Sequence, residues 1–350
     1  MSQPHVHGAH LVGSINLPDA AQVFRAVSSQ LGGHVRRIPD GEVGERYYWI
    51  QFQSARMEQA DGLTRLPIEP IYIRGQFDAR PLMLVEGYDA EQLAFPSLGY
   101  AEAARESYGV FRALRDAGEI AAGTRFQVSL PTPAGVVGSF VLPKDQAAVE
   151  APYERALFAE LEQILASIPH EDLAIQWDTA LEFALIEQVS IRDRTLTAWW
   201  ENVIEGVVER AVRQAGQVPA GVEVGYHLCY GDVEEAHFVQ PKDAGNLAAV
   251  LRGILTSATR PINWVHLPVP IERDDAAYFA PLIGLQVPVE TEIFLGLLHH
   301  EDGVDGAARR IAAASEALSE FGVATECGFG RGPAERTAEL LQLHSDVLSV

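Results

Sequence analysis

One histidine and two cysteines are the side chains of this sequence best suited to chemistry with a metal ion. His227 and Cys229 lie two positions apart, and Cys327 is the other cysteine of the 350-residue chain. If the first pair lies in a β-strand, both side chains point to one face and can bind one ion. Zinc prefers imidazole nitrogen and thiolate sulfur, and three such ligands leave a fourth position open. A thiol that enters this position loses its proton and becomes a nucleophile at neutral pH.

The same residues have an ordinary structural interpretation. A cysteine is often a small apolar core residue, and a buried histidine often only satisfies its hydrogen bonds. The 2 cysteines are too few for a disulfide framework and are typical of a reducing compartment. The metal interpretation is favoured because both cysteines fall at the ends of predicted strands.

Eight short β-rich apolar runs alternate with amphipathic helical stretches along the chain. The predicted strands are residues 10–15, 34–38, 124–130, 173–178, 222–229, 262–267, 291–298 and 324–328. The predicted helices include residues 19–31, 153–167, 196–215, 243–256, 306–321 and 334–345. This alternation implies an α/β fold with a parallel sheet, and eight units favour a single (β/α)8 TIM barrel over an open sheet.

A long insertion interrupts the alternation after the second predicted strand. We predict one barrel domain over residues 1–350, with the insertion at about residues 41–123. It has patterns for two helices and for a hairpin near residues 71–77. Long ordered insertions in a barrel usually serve a site, so we expect a lid or side wall on the catalytic face.

Polar side chains at the carboxyl ends of the predicted strands are the candidates for function, because that face carries the chemistry of parallel barrels. They are Ser14, Asp40, Glu42, Asp178, His227, Cys229, His266, His299, His300 and Cys327.

The charge of the chain limits its partners. The formal net charge is -22, from 48 acidic and 26 basic residues, which argues against nucleic acid and anionic membranes. No apolar run approaches the ~20 residues of a membrane span, and the first residues lack a leader pattern. We expect a cytoplasmic protein with small-molecule partners, and the sequence leaves open a monomer or a homo-oligomer.

The order of the motifs resembles the C-terminal catalytic barrel of cobalamin-independent methionine synthase, over nearly the whole chain. More broadly, it is similar to the superfamily that adds uroporphyrinogen decarboxylase and the epoxyalkane:coenzyme M transferases. In the synthase family, an H-x-C-Y strand end and a late D-C-G supply zinc ligands. Here His227-Leu228-Cys229-Tyr230 and Glu326-Cys327-Gly328 take those places in the same order.

Three further family motifs surround the amino-acid thiol, namely I-G-S, H-G-E and I-Q-I-D-E-P. The chain has Val12-Gly13-Ser14, Asp40-Gly41-Glu42 and Ile175-Gln176-Trp177-Asp178 in their places, followed by Thr179-Ala180 where the family has E-P. The resemblance implies that Ser14, Glu42 and Asp178 hold the polar end of the acceptor, and two carboxylates with a hydroxyl do suit an ammonium group. Alternatively, Ser14 and Asp178 only cap loops, and Glu42 pairs with Arg36 or Arg37.

Three histidines stand where the resembling family has other functional groups. His266 takes the place of a glutamate that is the fourth zinc ligand; the alternative is that His266 only forms hydrogen bonds and the site has three ligands. His299 and His300 stand at the family's catalytic acid. Either can protonate a leaving group, since the ordinary pKa of histidine is ~6.5, or both are simply solvated.

The function that follows is zinc-dependent transfer of a methyl or alkyl group to a thiol, with methionine synthesis from homocysteine as the first candidate. Full-length family enzymes carry a second barrel for folate, for which these 350 residues have no counterpart, so we expect a donor other than polyglutamylated folate. One alternative keeps the zinc thiolate but uses another thiol and an ether, sulfonium or epoxide. The other is a metal-free decarboxylase-like or binding barrel in which His227 and Cys229 only pack.

Overall fold

The centre of the molecule is one parallel sheet of eight strands. The computed structural model describes residues 5–73, 75–191, 194–231 and 236–349. The strands are β1 His5–Ala9, β2 Arg37–Pro39, β3 Arg125–Pro131, β4 Leu173–Thr179, β5 Glu223–Leu228, β6 Trp264–Pro268, β7 Glu292–Leu298 and β8 Glu320–Thr325. Their order is β1-β8-β7-β6-β5-β4-β3-β2, with parallel pairing throughout. The prediction of an α/β fold with a parallel sheet is confirmed.

The two strands at the ends of this order, β1 and β2, are linked by single backbone contacts. The Ala9 amide donates to the His34 carbonyl over 2.8 Å. Beyond the strands, Ser14 and Gly41 form a parallel bridge, and the Ile15 amide donates to the Gly41 carbonyl over 3.0 Å. These contacts place the segment after β1 beside the segment after β2.

Helices follow the strands and cover the outer face of the sheet. They are α1 Ala20–Leu31, α2 Gln53–Met57, α3 Tyr100–Asp116, α4 Pro133–Phe140, α5 Pro143–Ser167, α6 Leu181–Ile186, α7 Val203–Gly216, α8 Gly245–Ser257, α9 Ala276–Phe279, α10 Gly303–Ala314 and α11 Ala334–Leu348. In α1, Asp19 caps the first turn by accepting from the Gln22 amide. Val23, Val27 and Leu31 form its buried face at a spacing of one helical turn. Within the described ranges, no helix is both long and apolar enough to cross a membrane.

The chain between β2 and β3 carries its own small elements. They are a 3-10 turn at Gly44–Tyr48, α2, the paired strands Leu63–Arg65 and Leu82–Leu84, the paired strands Tyr72–Ile73 and Phe77–Asp78, and α3. Buried Arg65 ties them together by donating to the Asp78 and Arg80 carbonyls and to Ser54 Oγ. Gln53 donates to the Leu98 carbonyl and accepts from Tyr153 Oη of α5.

Several predicted boundaries are wrong. The first strand is His5–Ala9, not 10–15, because residues 10–15 are buried but make bridges instead of a ladder. The helix predicted at 306–321 ends at Ala314 in the structure. The prediction runs too far because Leu318 and Phe321 continue the apolar pattern of the helix, whereas Leu318 packs from a loop and Phe321 from β8. The last strand begins at Glu320, and α5 begins at Pro143 and runs through Pro152.

Candidate metal centre and substrate cavity

His227, Cys229 and Cys327 meet at the carboxyl ends of β5 and β8. Their ligand atoms all lie within 4.8 Å of one another. Cys327 Sγ is 3.6 Å from His227 Nε2 and 3.9 Å from Cys229 Sγ. Tetrahedral zinc, with bonds of about 2.3 Å to sulfur and about 2.0 Å to nitrogen, would hold such atoms about 3.6 and 3.8 Å apart. The two distances from Cys327 and the chemistry of the three donors therefore fit a zinc ion, and the distance between the His227 and Cys229 ligand atoms is within 4.8 Å.

His266 lies behind His227, on the side away from the sulfur atoms. Its Nδ1 is 2.7 Å from His227 Nδ1, and its Nε2 is 3.0 Å from the Thr325 carbonyl oxygen. A carbonyl only accepts, so His266 carries its proton on Nε2 and accepts at Nδ1. His227 then donates from Nδ1 and directs an unprotonated Nε2 at Cys327. This is the tautomer that metal binding through Nε2 requires.

Burial keeps both imidazoles neutral. The pKa of His227 lies well below its ordinary value because of burial first and of neighbouring His266 second. Burial likewise lowers the pKa of His266 to about 3. A neutral imidazole is the form that binds a metal, so neither ring needs to lose a proton at pH 7.

Two donors point at the cysteine sulfurs. The Gly231 amide lies 3.2 Å from Cys229 Sγ, and Arg331 Nη2 lies 3.8 Å from Cys327 Sγ. Both sulfur atoms therefore have a hydrogen-bond donor beside them, and the thiolate is the form of cysteine that binds a metal. Thr325 Oγ1 also donates to the Cys327 carbonyl over 2.6 Å, which fixes the turn after β8.

A cavity of about 500 Å³ opens over the three candidate ligands. Its wall includes the polar residues Ser14, Glu42, Asp178 and Arg331 and the aromatic residues Tyr48, Trp49, Tyr72 and Phe238. Tyr48, Trp49 and Tyr72 come from the segment between β2 and β3. The cavity therefore joins the strand ends of the sheet to that segment, and Ser14, Glu42 and Asp178 all line it.

The two carboxylates of the cavity, Glu42 and Asp178, are buried. Burial raises the pKa of Glu42 to about 7, although Arg46 and Arg331 pull it down. The pKa of Asp178 lies well above its ordinary value, because of burial first and of Glu42 second. A positively charged group bound in the cavity would stabilise the ionised forms of Glu42 and Asp178, so the two carboxylates suit an ammonium-bearing ligand.

Two residues of the cavity wall have an unfavourable backbone conformation. Glu42 and Trp49 both have φ of 51°, which residues other than glycine adopt rarely. The Glu42 amide donates to Asp40 Oδ1 over 3.0 Å, and Arg46 and Ser107 each bind Asp40 Oδ2 over 2.7 Å. Asp40 is thus an anchor for the strained turn and does not line the cavity. The alternative pairing of Glu42 is wrong, since Arg37 and Arg36 pair with Glu292.

Glycines bring the loop after Cys327 against Ser14. A Cβ on Gly328 would lie 2.4 Å from Ser14 Oγ, and one on Gly330 would lie 2.7 Å from Ser14 Cβ. Asn16 Nδ2 donates to the Gly332 carbonyl over 2.7 Å. The loop that carries Arg331 is therefore pinned on both sides of that residue.

His299 and His300 line a different, smaller cavity of about 100 Å³ that shares Cys327 with the larger one. His299 is buried, its Nε2 is 2.9 Å from the Val269 carbonyl, and burial lowers its pKa. His300 is exposed, with Nδ1 3.0 Å from Glu301 Oε2. Neither histidine is part of the larger cavity's wall.

Among the residues that sequence reasoning missed are Trp49 and Arg331 of the larger cavity and one pair in the smaller one. Trp49 follows a 3-10 turn and has no motif. Arg331 has a weak signal, because it lies in the glycine-rich run Gly328-Phe329-Gly330-Arg331-Gly332. In the smaller cavity, His237 Nε2 lies 3.0 Å from Glu326 Oε1. A lone histidine in a loop gives no signal in the sequence.

The comparisons with known proteins give structural matches only. No family model matches the sequence, and no curated protein matches it. A B12-independent methionine synthase from Shewanella sp. W3-18-1, solved in complex with selenomethionine, matches 99% of this chain and 97% of its own, with TM-score 0.60 and 14% identity. A Listeria monocytogenes protein provisionally assigned as a vitamin-B12-independent methionine synthase matches 99% of both chains, with TM-score 0.58 and 14% identity. A methyltransferase from Methanosarcina mazei matches 100% of this chain and 95% of its own, with TM-score 0.55 and 11% identity. The chain shares the fold of these three proteins over nearly its whole length.

Proposed function

We propose that the protein is a zinc-dependent transferase that moves a methyl or other alkyl group to the sulfur of a thiol. Synthesis of methionine from homocysteine is the first candidate reaction. The observation that carries this proposal is the spacing of Cys327 Sγ from His227 Nε2 and Cys229 Sγ, 3.6 and 3.9 Å, in the wall of a cavity with two buried carboxylates. The structural matches to methionine synthase and methyltransferase proteins support it.

We also propose that the sheet closes into a (β/α)8 barrel as one domain. The contacts Ala9 to His34 and Ser14 to Gly41 support closure between β1 and β2. The insertion at about residues 41–123 then forms a side wall on the catalytic face, which its contribution of Tyr48, Trp49 and Tyr72 to the cavity supports.

His227, Cys229 and Cys327 would hold the zinc, and His266 would position His227 instead of being a fourth ligand. Both nitrogens of His266 already have partners, His227 Nδ1 and the Thr325 carbonyl. Zinc held by one imidazole and two thiolates would lower the pKa of an incoming thiol and so would supply a thiolate nucleophile at neutral pH.

The acceptor is positioned by the polar wall of the cavity. Glu42 and Asp178 would bind its ammonium group, with Ser14 Oγ beside them. Gln176 Nε2 donates to Asp178 Oδ1 over 2.9 Å and fixes this carboxylate. Trp49, Tyr48 and Tyr72 would exclude water from the reacting sulfur. Such fixed partners convert substrate binding into orientation of the reacting atoms.

In the reaction, the thiolate sulfur forms a bond to the alkyl carbon while the bond between that carbon and the leaving group breaks. The electron pair of the broken bond stays with the leaving group. A nitrogen or oxygen leaving group then needs a proton, which His299 or His300 would supply from the smaller cavity beside Cys327.

A second candidate is transfer from a sulfonium donor to another thiol, and the position of the two histidines favours it. His299 and His300 lie outside the wall of the larger cavity, and His299 Nε2 is bonded to the Val269 carbonyl. A sulfonium donor leaves as a neutral thioether and needs no proton, unlike an ether or an epoxide. The alternative to both transferases is a decarboxylase-like or binding barrel that holds no metal and in which the cysteines are only core residues.

Metal content tests the proposal against that alternative. Tag-free protein purified without added metal should contain one zinc per chain, and Cys229→Ser and Cys327→Ser should each lose most of it. His34→Gln is the control, because it removes an exposed imidazole far from the site. Folded wild-type protein that contains no zinc and takes up none on reconstitution would refute the proposed function. Zinc protein assayed with homocysteine and with other thiols, against a panel of methyl donors, then separates the two transferase candidates.

A further inference from the structure

The two cysteines of the chain lie close enough to react with each other. The sequence has 2 cysteines, both are thiols in the structure, and their sulfur atoms are 3.9 Å apart. Cys229 follows β5 and Cys327 follows β8, and β6 and β7 lie between these strands in the sheet. A bond between the two sulfur atoms would therefore join strand ends that do not pair with each other, in the wall of the larger cavity.

The fold holds the two cysteines as a pair. The Cys229 amide donates to the Thr179 carbonyl over 2.8 Å, and Thr325 Oγ1 donates to the Cys327 carbonyl over 2.6 Å. The sulfur atoms of a disulfide are about 2.0 Å apart, so a gap of about 1.9 Å has to close and each sulfur has to move by about 1 Å. Rotation about the Cα–Cβ bond of a cysteine moves its sulfur by this amount.

An oxidant can reach the pair from the cavity. Cys229 and Cys327 both line the cavity of about 500 Å³. Cys229 is 3% exposed, whereas Cys327 is partly exposed and also lines the smaller cavity. Oxidation of a cysteine increases with its exposure, and a second cysteine nearby resolves the first product. Cys327 is therefore the sulfur that meets an oxidant first, and Cys229 is its resolving partner.

We propose that Cys229 and Cys327 form a reversible modification site, in which a hydroperoxide oxidises them to an intramolecular disulfide. The Cys327 thiolate sulfur attacks one peroxide oxygen, the O–O bond breaks, and the other oxygen takes up a proton and leaves as water or an alcohol. The Cys229 thiolate then attacks the sulfur of the resulting sulfenic acid. The S–S bond forms, and the hydroxide that leaves takes up a proton and becomes water. The two sulfur atoms together lose two electrons, which the hydroperoxide gains.

The disulfide would remove two of the three candidate metal ligands at once. The thiolate is the form of cysteine that binds a metal, so the oxidised chain should not hold zinc until a dithiol reduces it. The oxidation itself needs neither zinc nor a substrate. The inference therefore goes beyond the proposed thiol transfer and does not depend on it.

Treatment of the full chain with hydrogen peroxide tests the site, with free thiols, intact mass and bound zinc measured on the same sample. Wild type should lose both thiols and about 2 Da, and should release its zinc. A digest without reductant should contain one linked pair of peptides, which carry Cys229 and Cys327. Dithiothreitol with added zinc should restore both thiols, the mass and the zinc.

The two single-cysteine variants are the matched controls. In Cys229→Ser, Cys327 has no resolving partner, so it should gain about 32 Da as a sulfinic acid or join two chains. In Cys327→Ser, the buried Cys229 should keep its thiol under conditions that fully convert wild type.

Three results would overturn the proposal: sulfinic acid at Cys327 of wild type, a disulfide between two wild-type chains, or thiols that persist in protein stripped of metal by a chelator. Wild-type protein that binds no zinc but still gives the linked peptides would instead refute the proposed function and support the modification site.

Discussion

His227 Nδ1 and His266 Nδ1 lie 2.7 Å apart, and this contact decides which nitrogen of each ring carries the proton. Because Nε2 of His266 donates to the Thr325 carbonyl, His227 must be the donor between the two rings. His266 thus accepts a hydrogen bond from His227, at the strand end where the family that the sequence resembles has a metal-binding glutamate. In the proposed zinc site, His266 would act on the ion through His227.

We expect His266→Phe to weaken zinc binding about 10–100-fold, as is usual when a partner of a metal-bound histidine is lost. His266→Asn should lose less zinc affinity, because the asparagine Oδ1 can accept the hydrogen bond from His227 in place of the His266 Nδ1. Competition with a chelator measures both affinities. At saturating zinc each variant should still bind one ion per chain. A stoichiometric loss as complete as that of Cys229→Ser would show that His266 is a direct ligand.

The strands that carry the candidate metal ligands are predictable because each is a short apolar run bounded by turns. The run that ends in Cys229 and the run 262–267 match β5 and β6 to within a few residues. The first and last strands are harder to place. Residues 10–15 are as apolar and buried as a strand, and only backbone pairing distinguishes them from His5–Ala9.

The candidate ligands are predictable from atom type, since few side chains bind zinc and strand ends gather on one face. Whether His266 faces Cys229 and Cys327 or His227 depends on ring orientation, which residue spacing does not determine. Trp49 and Arg331 enter the cavity through loop geometry. The first depends on a backbone with φ of 51° and the second on glycines packed against Ser14. Contacts of this kind join distant parts of the chain and leave no local pattern.

The raised pKa of Glu42 predicts a stability that depends on pH. In the folded protein its pKa is about 7, against about 4.5 as the ordinary value. Below about pH 4.5 the Glu42 carboxyl is neutral in both the folded and the unfolded protein and costs little stability. Above that pH it ionises more readily in the unfolded protein, so the free energy of unfolding falls until the pH exceeds about 7. We expect Glu42→Gln to match wild type in the free energy of unfolding at pH 4.5 and to exceed it by roughly 3 kcal/mol at pH 8. Urea unfolding across this range measures the difference, and a constant difference would contradict the prediction.

Gly328 should tolerate no side chain. In Gly328→Ala the new Cβ would meet Ser14 Oγ at 2.4 Å and the Ser14 amide nitrogen at 2.9 Å. We expect a loss of about 1–3 kcal/mol in the free energy of unfolding, with weaker zinc binding because Cys327 is displaced. Adding Ser14→Ala removes the nearer contact and should restore part of both. Gly109→Ala at an exposed position of α3, where a Cβ would meet nothing within 4 Å, is the control and should stabilise by about 0.5–1 kcal/mol.

Arg37 should matter for stability and not for zinc, because it lies at the amino ends of the strands. Its buried guanidinium binds Glu223 and Glu292 at 2.5 and 2.9 Å and lies 4.2 Å from the Trp264 ring centre. Arg37→Met leaves these carboxylates without their shared partner, so we expect unfolding to become easier by roughly 3 kcal/mol. Arg36→Met is the control: that side chain is 73% exposed and should cost less than about 1 kcal/mol. Zinc affinity at a permissive temperature should be unchanged in both variants. A fall with Arg37→Met alone would mean that the two ends of the sheet are coupled, contrary to the usual division between a stabilising and a catalytic face.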